Sequence, residues 1–297
     1  MVEAFNPSEI LRKRLNALSD ELVSVRDGDV EAIHRTRVAT RRLREALPIA
    51  AADHHTAKDL GRRLRDVNRV LGPVRELDVL SELIVELQNE GRFSGDALHA
   101  VGRAVKGARR KVARRLGSSV RKLEKLTTRL DDMVAELRSK DAADLRKIRR
   151  DWRWATQARV LHRAGRVQSA MDHAGVLYAS GPLHDVRVAI KKLRYAMELS
   201  DEIGEVQPGA VKTLKSAQDL LGRQHDLEVF LMWGRQVQAS ANKHASWGEL
   251  VTLTRAIERD CRELHARYIR ECPSLTALIV RAGADVTQGV DIRRAVG

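Results

Sequence analysis

The stretch "HRTRVATRRLREAL", residues 34–47, returns 150 positions later as "HDVRVAIKKLRYAM", residues 184–197. At 100° per residue, His34, Arg37, Arg41 and Arg44 share an arc of about 80°. Ala39, Leu43, Ala46 and Leu47 lie on the opposite side, and Arg42 sits on a flank near Arg35. In the second copy His184, Arg187, Lys191 and Arg194 form the same ladder, opposite Ala189, Leu193 and Met197, with Lys192 in the place of Arg42. The pattern reads as an amphipathic helix with an apolar side and a continuous cationic side, used twice.

The repeat extends beyond this helix. "VLGPVRELDVL", residues 70–80, aligns at the same offset with "LLGRQHDLEVF", residues 220–230, keeping Leu71, Gly72, Leu77 and Val79 as Leu221, Gly222, Leu227 and Val229. One offset that matches two separated motifs points to a duplicated unit. The expected fold is all-α: two pseudo-twofold-related four-helix bundles with a basic groove or pore between them. The expected division is a first half at 1–138, a linker at 139–146, a second half at 147–282 and a tail at 283–297.

Composition agrees with helices. The chain has 297 residues, 43% hydrophobic but only 3% aromatic, so its core must be Leu, Val, Ile and Ala. Six prolines and little Val/Ile/Tyr/Thr alternation leave few strand signals. Asn6, Pro7 and Glu9 have the spacing of a helix start, and the first helix is expected to run to about Val25, ending at Asp27-Gly28. The next starts near Asp29, with Pro48 loosening its last turns. Further stretches are expected at 55–90, interrupted at 71–73, and at 94–137 with a break at Gly117. The second set is expected at 145–178, at 180–203 after Ser180-Gly181-Pro182, from Pro208 with a break at 221–222, and at 246–272, where Pro273 ends or bends it. After Ala282 a frayed tail is expected.

The formal net charge is +14 and the pI about 10.3, which speaks to partners rather than fold: nucleic acid, another polyanion or an anionic surface. Two cysteines, Cys261 and Cys272, cannot build a disulfide framework and fit a reducing compartment. "MVEAFNPSEILRKRL" has no apolar signal region, and no apolar run approaches a membrane span. A soluble cytoplasmic protein without membrane association is expected.

More cations follow the ladders. Lys58, Arg62, Arg65 and Arg69 share a face, and Lys212 and Lys215 stand at the repeat positions of Arg62 and Arg65, while Asp219 replaces Arg69. Two basic faces on neighbouring helices could close a groove. Residues 101–125 carry ten Lys/Arg against one acid, Glu124, with Arg103, Lys106 and Arg110 helically spaced. A single basic face is ordinarily a solvated one, its long stems lying over apolar neighbours. Its recurrence, its wealth of Arg, whose fork suits phosphate, and its few carboxylates at i±4 favour an anion site. His34 and His184 at matched heads could donate to phosphate oxygens, or become cations beside a bound anion.

These motifs resemble the CHAD family, the conserved-histidine α-helical domain. Its His-x-x-Arg-x-x-x-Arg/Lys-Arg/Lys-Leu-Arg helix reads here as "HRTRVATRRLR" and "HDVRVAIKKLR", and its second hallmark as "LGPVRELDVL" and "LGRQHDLEVF". The resemblance covers about Ser8 to Ala282. It departs at Glu76, where Asp is frequent, and at His225, where Asn is frequent. It implies two four-helix bundles around a basic groove or pore, and binding of inorganic polyphosphate, with association with polyphosphate granules.

The physics agrees. A phosphate chain has no bases to stack, so its receptor needs a cation ladder of about 5.4 Å per turn and no aromatics. Single-strand nucleic-acid binders use stacking platforms, and Trp152, Trp154 and Trp233 lie off the ladders. The binding set is therefore His34, Arg37, Arg41, Arg42, Arg44, Arg62, Arg65, His184, Arg187, Lys191, Lys192, Arg194, Lys212 and Lys215, with Lys58, Arg69, Arg103, Lys106 and Arg110 as outlying candidates. No catalysis, metal or cofactor is expected, and the partner is polyphosphate or another linear polyanion. A nucleic-acid backbone binder is the alternative. A metal-dependent phosphohydrolase is a third reading: Asp66, Glu76, Asp78, Asp226 and Glu228 could hold a metal, although capping and salt bridging account for carboxylates there. His54-His55 has no ligand-spaced carboxylate, and no Walker loop or HExxH helix is present.

Overall fold

In a computed structural model, the described residues are 5–50, 53–240 and 247–294, with side chains described as far as 283. They form ten helices: α1 (Pro7–Ser19), α2 (Leu22–Asp27), α3 (Val30–Ala50), α4 (His54–Asn89), α5 (Gly95–Ala113), α6 (Leu116–Arg138), α7 (Ala142–Ala174), α8 (Ser180–Glu202), α9 (Ala210–Ser240) and α10 (Trp247–Arg294). The described chain is all-helical, as its composition implies.

Several ends follow from local chemistry. The Asn6 side chain accepts from the Ser8 backbone N–H at 3.0 Å, with Pro7 in the first helical turn. Asp29 accepts from Ala32 N at 2.6 Å to open α3, Asp53 from Thr56 N at 2.8 Å to open α4, and Asp141 from Ala143 N and Asp144 N to open α7. Gly28 closes α2 with φ of 81°, a left-handed conformation that glycine adopts without steric cost.

Other expectations are corrected. The first helix is split at Asp20-Glu21, and there Glu21 takes the Arg35 guanidinium. The break expected at Gly117 falls at Arg114-Arg115. Gly72-Pro73 and Leu221-Gly222 do not interrupt α4 and α9, and Pro273 does not end α10. The backbone of α10 continues to Arg294, past the expected fraying point. Its expected start at Ser246 and the last three tail residues lie outside the described residues. A proline removes one backbone donor and strains one turn, and packing on both sides of these sites outweighs that local cost.

Three apolar clusters hold the helices. One joins α1, α2, α3, α4 and α6 and receives Trp152 of α7 with Leu199 and Ile203 from the end of α8. A second joins α7, α8, α9 and α10 around Leu193, Leu214 and Tyr268. The third joins the far half of α4 to α5, α9 and the start of α10 through Leu80, Leu98, Phe230 and Leu253. Each fully buried Leu, Ile or Phe contributes about 1.5–3 kcal/mol before entropy is counted. The third cluster ties the two repeats together, so α4 and α9 are fixed side by side.

The repeat is visible in burial as well as sequence. Residues 33–47 and 183–197 follow the same order of buried, half-buried and exposed positions, residue for residue. Both place His and the position after it outside, and both sink the leucine of the motif, Leu43 and Leu193, into a core. Among the described residues no helix is long and apolar enough to cross a membrane.

Candidate functional site: a cationic cleft between α3, α4, α8 and α9

The apolar sides of α3 and α8 are buried in different cores, which turns their cationic sides toward a common space. Between them and the neighbouring helices lies a cleft of about 590 Å³. From α3 it receives His34, Arg37, Arg41 and Arg44, and from α4 Arg65, Asn68, Arg69, Arg75 and Glu76. From α8 come Arg187 and Lys191, and from α9 His225 and Asp226. Eight Arg or Lys side chains thus line the cleft with two carboxylates, and two of the eight are paired from outside it, Arg75 with Glu82 at 2.9 Å and Arg69 with Asp66 at 3.1 Å.

The glycine of the first Leu-Gly pair explains a close approach, whereas that of the second leaves room for a side chain. A Cβ on Gly72 would lie 3.0 Å from Arg37 Nη1, and one on Gly222 would lie 3.9 Å from Arg187 Nε. The Leu-Gly motif is therefore a flat place on a continuous helix, where the first ladder arginine lies against α4 and its copy against α9. Arg37 donates through Nη1 to the Asn68 carbonyl at 3.2 Å. Asn68 in turn donates through Nδ2 to Thr40 Oγ1 at 2.6 Å, which fixes α3 against α4.

The cations are packed closely enough to perturb one another. Burial, then Arg41 and Arg75, pushes the Arg37 guanidinium down to about 10. Burial, then Arg187 and Arg41, pushes the Lys191 ammonium down to about 6. Burial also lowers Arg187, opposed by Asp226, and Arg41 of the other ladder lowers it further. Asp226 is raised by its burial although Arg187 and Lys191 pull it down. Fields that cross from α3 to α8 place the two ladders opposite one another. Arg187 Nε is buried without a hydrogen-bond partner. A buried cation with an idle donor is costly.

The histidines head the ladders differently. His34 lines the cleft and is lowered by burial and then by Arg75. His184 is not among the residues lining the cleft; it is also lowered by burial, then by Arg187, and its ring lies 4.9 Å from that of His225, which does line it. His225 is pushed down to about 3 by burial and by Arg187. These rings are neutral near pH 7 in the free protein, so they can offer N–H donors without adding charge.

The cleft does not collect every candidate. Arg42 turns away and donates through Nε to Glu198 Oε2 at 2.9 Å. Arg194 binds the same carboxylate and donates through Nε to Gln218 Oε1 at 2.9 Å. Arg62 is tied to Asp59, which also holds Arg63 and Arg129. Lys58, Lys212, Lys215 and Arg110 are exposed and line no described cavity. Arg103 and Lys106 line a separate hollow with Asp78 and Arg109. Lys192 lies beside Arg163, Arg44 and Arg166 on the α7 side.

Sequence reasoning missed Arg75 as a residue of the cleft, weighed Glu76 only as a motif departure and a metal carboxylate, and treated His225 only as a departure. Their signal was present: Arg65, Asn68, Gly72, Arg75 and Val79 have helical spacing, but a break expected at residues 71–73 cut that face in two. Of the carboxylates considered for a metal, Glu76 and Asp226 line the cleft and the other three are engaged elsewhere. Asp66 pairs with Arg69, Asp78 with Arg109, and Glu228 accepts from Tyr178 and Gln224. Among the described residues no group of three His, Cys, Asp or Glu could hold a metal ion.

Comparison with known proteins places this architecture. The chain superposes on the crystal structure of the CHAD domain from the plant Ricinus communis with a TM-score of 0.55 and 22% identity, covering 95% of this chain and 93% of that one. It superposes on PptA from Streptomyces chartreusis with a TM-score of 0.57 and 17% identity, covering 95% of this chain and 100% of that one. At these identities the likeness is one of fold. No curated protein matches the sequence. The family model of the CHAD domain matches residues 9–234, about three quarters of the chain and both copies of the histidine-arginine helix. This chain belongs to the CHAD domain family.

Proposed function

We propose that this protein binds inorganic polyphosphate in the cleft and does not turn it over. The observation that carries the reading is the convergence of eight Arg or Lys side chains from both repeats, against two carboxylates, in one cleft. Guanidinium groups present paired donors to phosphate oxygens, and a chain of phosphates can engage several in succession. No Phe, Tyr or Trp is among the described lining residues, so bases would find no stacking platform there. Lys191, near neutral in the free protein, would take up a proton beside a phosphate and become a full cation. The same binding would bring the protein to polyphosphate granules in the cytoplasm, which co-localisation of the tagged protein with a polyphosphate stain would check.

The test is titration calorimetry with long-chain polyphosphate. Binding is expected to weaken steeply with salt, log affinity falling by several units per decade, as for nucleic acids that release counterions. Replacing Arg37, Arg41, Arg187 and Lys191 together with Glu should abolish binding while circular dichroism stays helical. Normal binding by a folded quadruple variant would remove the cleft from consideration. Displacement by nucleic acid at equal phosphate concentration would favour a backbone binder, and orthophosphate release with Mg²⁺ or Mn²⁺ would overturn the non-catalytic part.

A further inference from the structure

We infer that the phosphate path continues out of the cleft, past Arg44, onto a basic strip formed by α7 and Lys192. The inference rests on the polyphosphate reading of the cleft and adds residues to it. Arg159, Arg163 and Arg166 are spaced i, i+4 and i+7, so they share one face of α7. That face packs toward α3: Arg159 donates through Nε to Glu45 Oε2 at 2.6 Å, and Arg163 through Nη2 to Glu45 Oε1 at 2.9 Å. Glu45 is buried and adjoins Arg44, whose side chain lines the cleft.

Lys192 follows Lys191 by one position, about 100° around the helix. Lys191 therefore faces the cleft, and Lys192 faces the α7 strip, in the field of Arg163, Arg44 and Arg166. Five cations surround one carboxylate, and that carboxylate already accepts from two of them. Glu45 thus anchors Arg159 and Arg163 without discharging the patch. Arg166 and Lys192 are exposed and form no ion pair with a described residue. Arg44 belongs to both groups: Arg65 and Arg41 reach it from the cleft and Arg163 from α7. A chain longer than the cleft leaves beside Arg44 and meets this strip next.

Arg166→Glu, Lys192→Glu and the pair test this against two ligands, tripolyphosphate and long-chain polyphosphate, at fixed salt. The double variant is expected to lose about tenfold in affinity for the long chain, with a shallower salt dependence, and to bind tripolyphosphate within about twofold of wild type. Arg255→Glu with Arg267→Glu, exposed on α10, makes the same change in net charge and should leave the long-chain affinity nearly unchanged. Equal losses for both ligands, an equal loss in the α10 control, or no loss at all would overturn the strip. Wild-type protein that bound neither ligand would overturn the cleft reading and the strip with it, whereas normal wild-type binding with unaffected variants would remove only the strip.

Discussion

The two repeats share a motif and a burial pattern but do not contribute equally to the cleft. The first supplies His34, Arg37, Arg41, Arg44, Arg65, Arg69 and Arg75, and the second supplies Arg187, Lys191 and His225. The clearest contrast is between Arg44 and Arg194. Four residues after Arg44 stands Pro48, and four residues after Arg194 stands Glu198. A carboxylate at i+4 on a helix is within reach of the guanidinium, so Arg194 folds onto Glu198 while Arg44 stays in the cleft. Arg75 and His225 differ at another matched position: one, paired with Glu82, faces His34 as a cation, and the other is a neutral ring tilted against that of His184. A repeated ladder therefore becomes a site according to what each rung finds next to it.

The matched rungs offer the strongest test. Arg41→Ala and Lys191→Ala should each weaken polyphosphate binding at least about tenfold, the worth of a charge-assisted contact. Arg44→Ala should do the same, whereas Arg194→Ala should cost less than about twofold because its charge is already spent on Glu198. Equal losses at 44 and 194 in a titration would end the asymmetry. Exchanging the second contrast comes next. Arg75→His should lose about threefold to tenfold, and His225→Arg should gain a similar factor at low salt, since each changes one cation in the cleft.

A smaller effect is expected at the glycines. Gly72→Ala puts a methyl group against Arg37 Nη1 and should cost about threefold in binding, with circular dichroism unchanged. Gly222→Ala meets Arg187 at ordinary contact distance and should be nearly silent. The least visible difference is in protons. Lys191 stands where Arg41 stands in the first repeat and is pushed down to about 6. Binding near pH 7.5 should take up about one proton, read from calorimetry in buffers of different ionisation enthalpy, and Lys191→Arg should abolish that uptake. The same group makes stability depend on pH. From about 6 to the ordinary lysine value the unfolded chain binds the proton that the folded one refuses. Stability on this account rises with pH across that window, and the full penalty applies below it. Lys191→Met should flatten this slope in denaturant titrations run at several pH values.

Much of the site was legible in residue spacing. The period of residues 34–47 separates the apolar side from the cationic one without any knowledge of neighbours, and the recurrence at 184–197 marks the opposite wall. Arg75 was not legible because Gly72-Pro73 has the local grammar of a helix stop. That grammar was outweighed by Leu71, Val74 and Leu77, which are buried on both sides of it. Arg42, Arg62 and Arg194 carry the right charge in the right pattern, yet carboxylates that approach from other turns or other helices occupy them. The Glu198 that holds Arg42 is 156 residues distant along the chain, a relation no local window contains.

By itself the sequence determined the helical class, the twofold recurrence of the basic helix, its inward and outward sides, and a charge balance suited to a polyanion. These are properties of periodicity and composition, which act within a few turns. Only the tertiary structure decided that α4 and α9 pass unbroken behind the ladders, that Arg37 and Lys191 are buried in one another's field, and which cations are left without carboxylates. Those outcomes depend on distances between segments far apart in the chain, where packing of the shared core sets which charges meet.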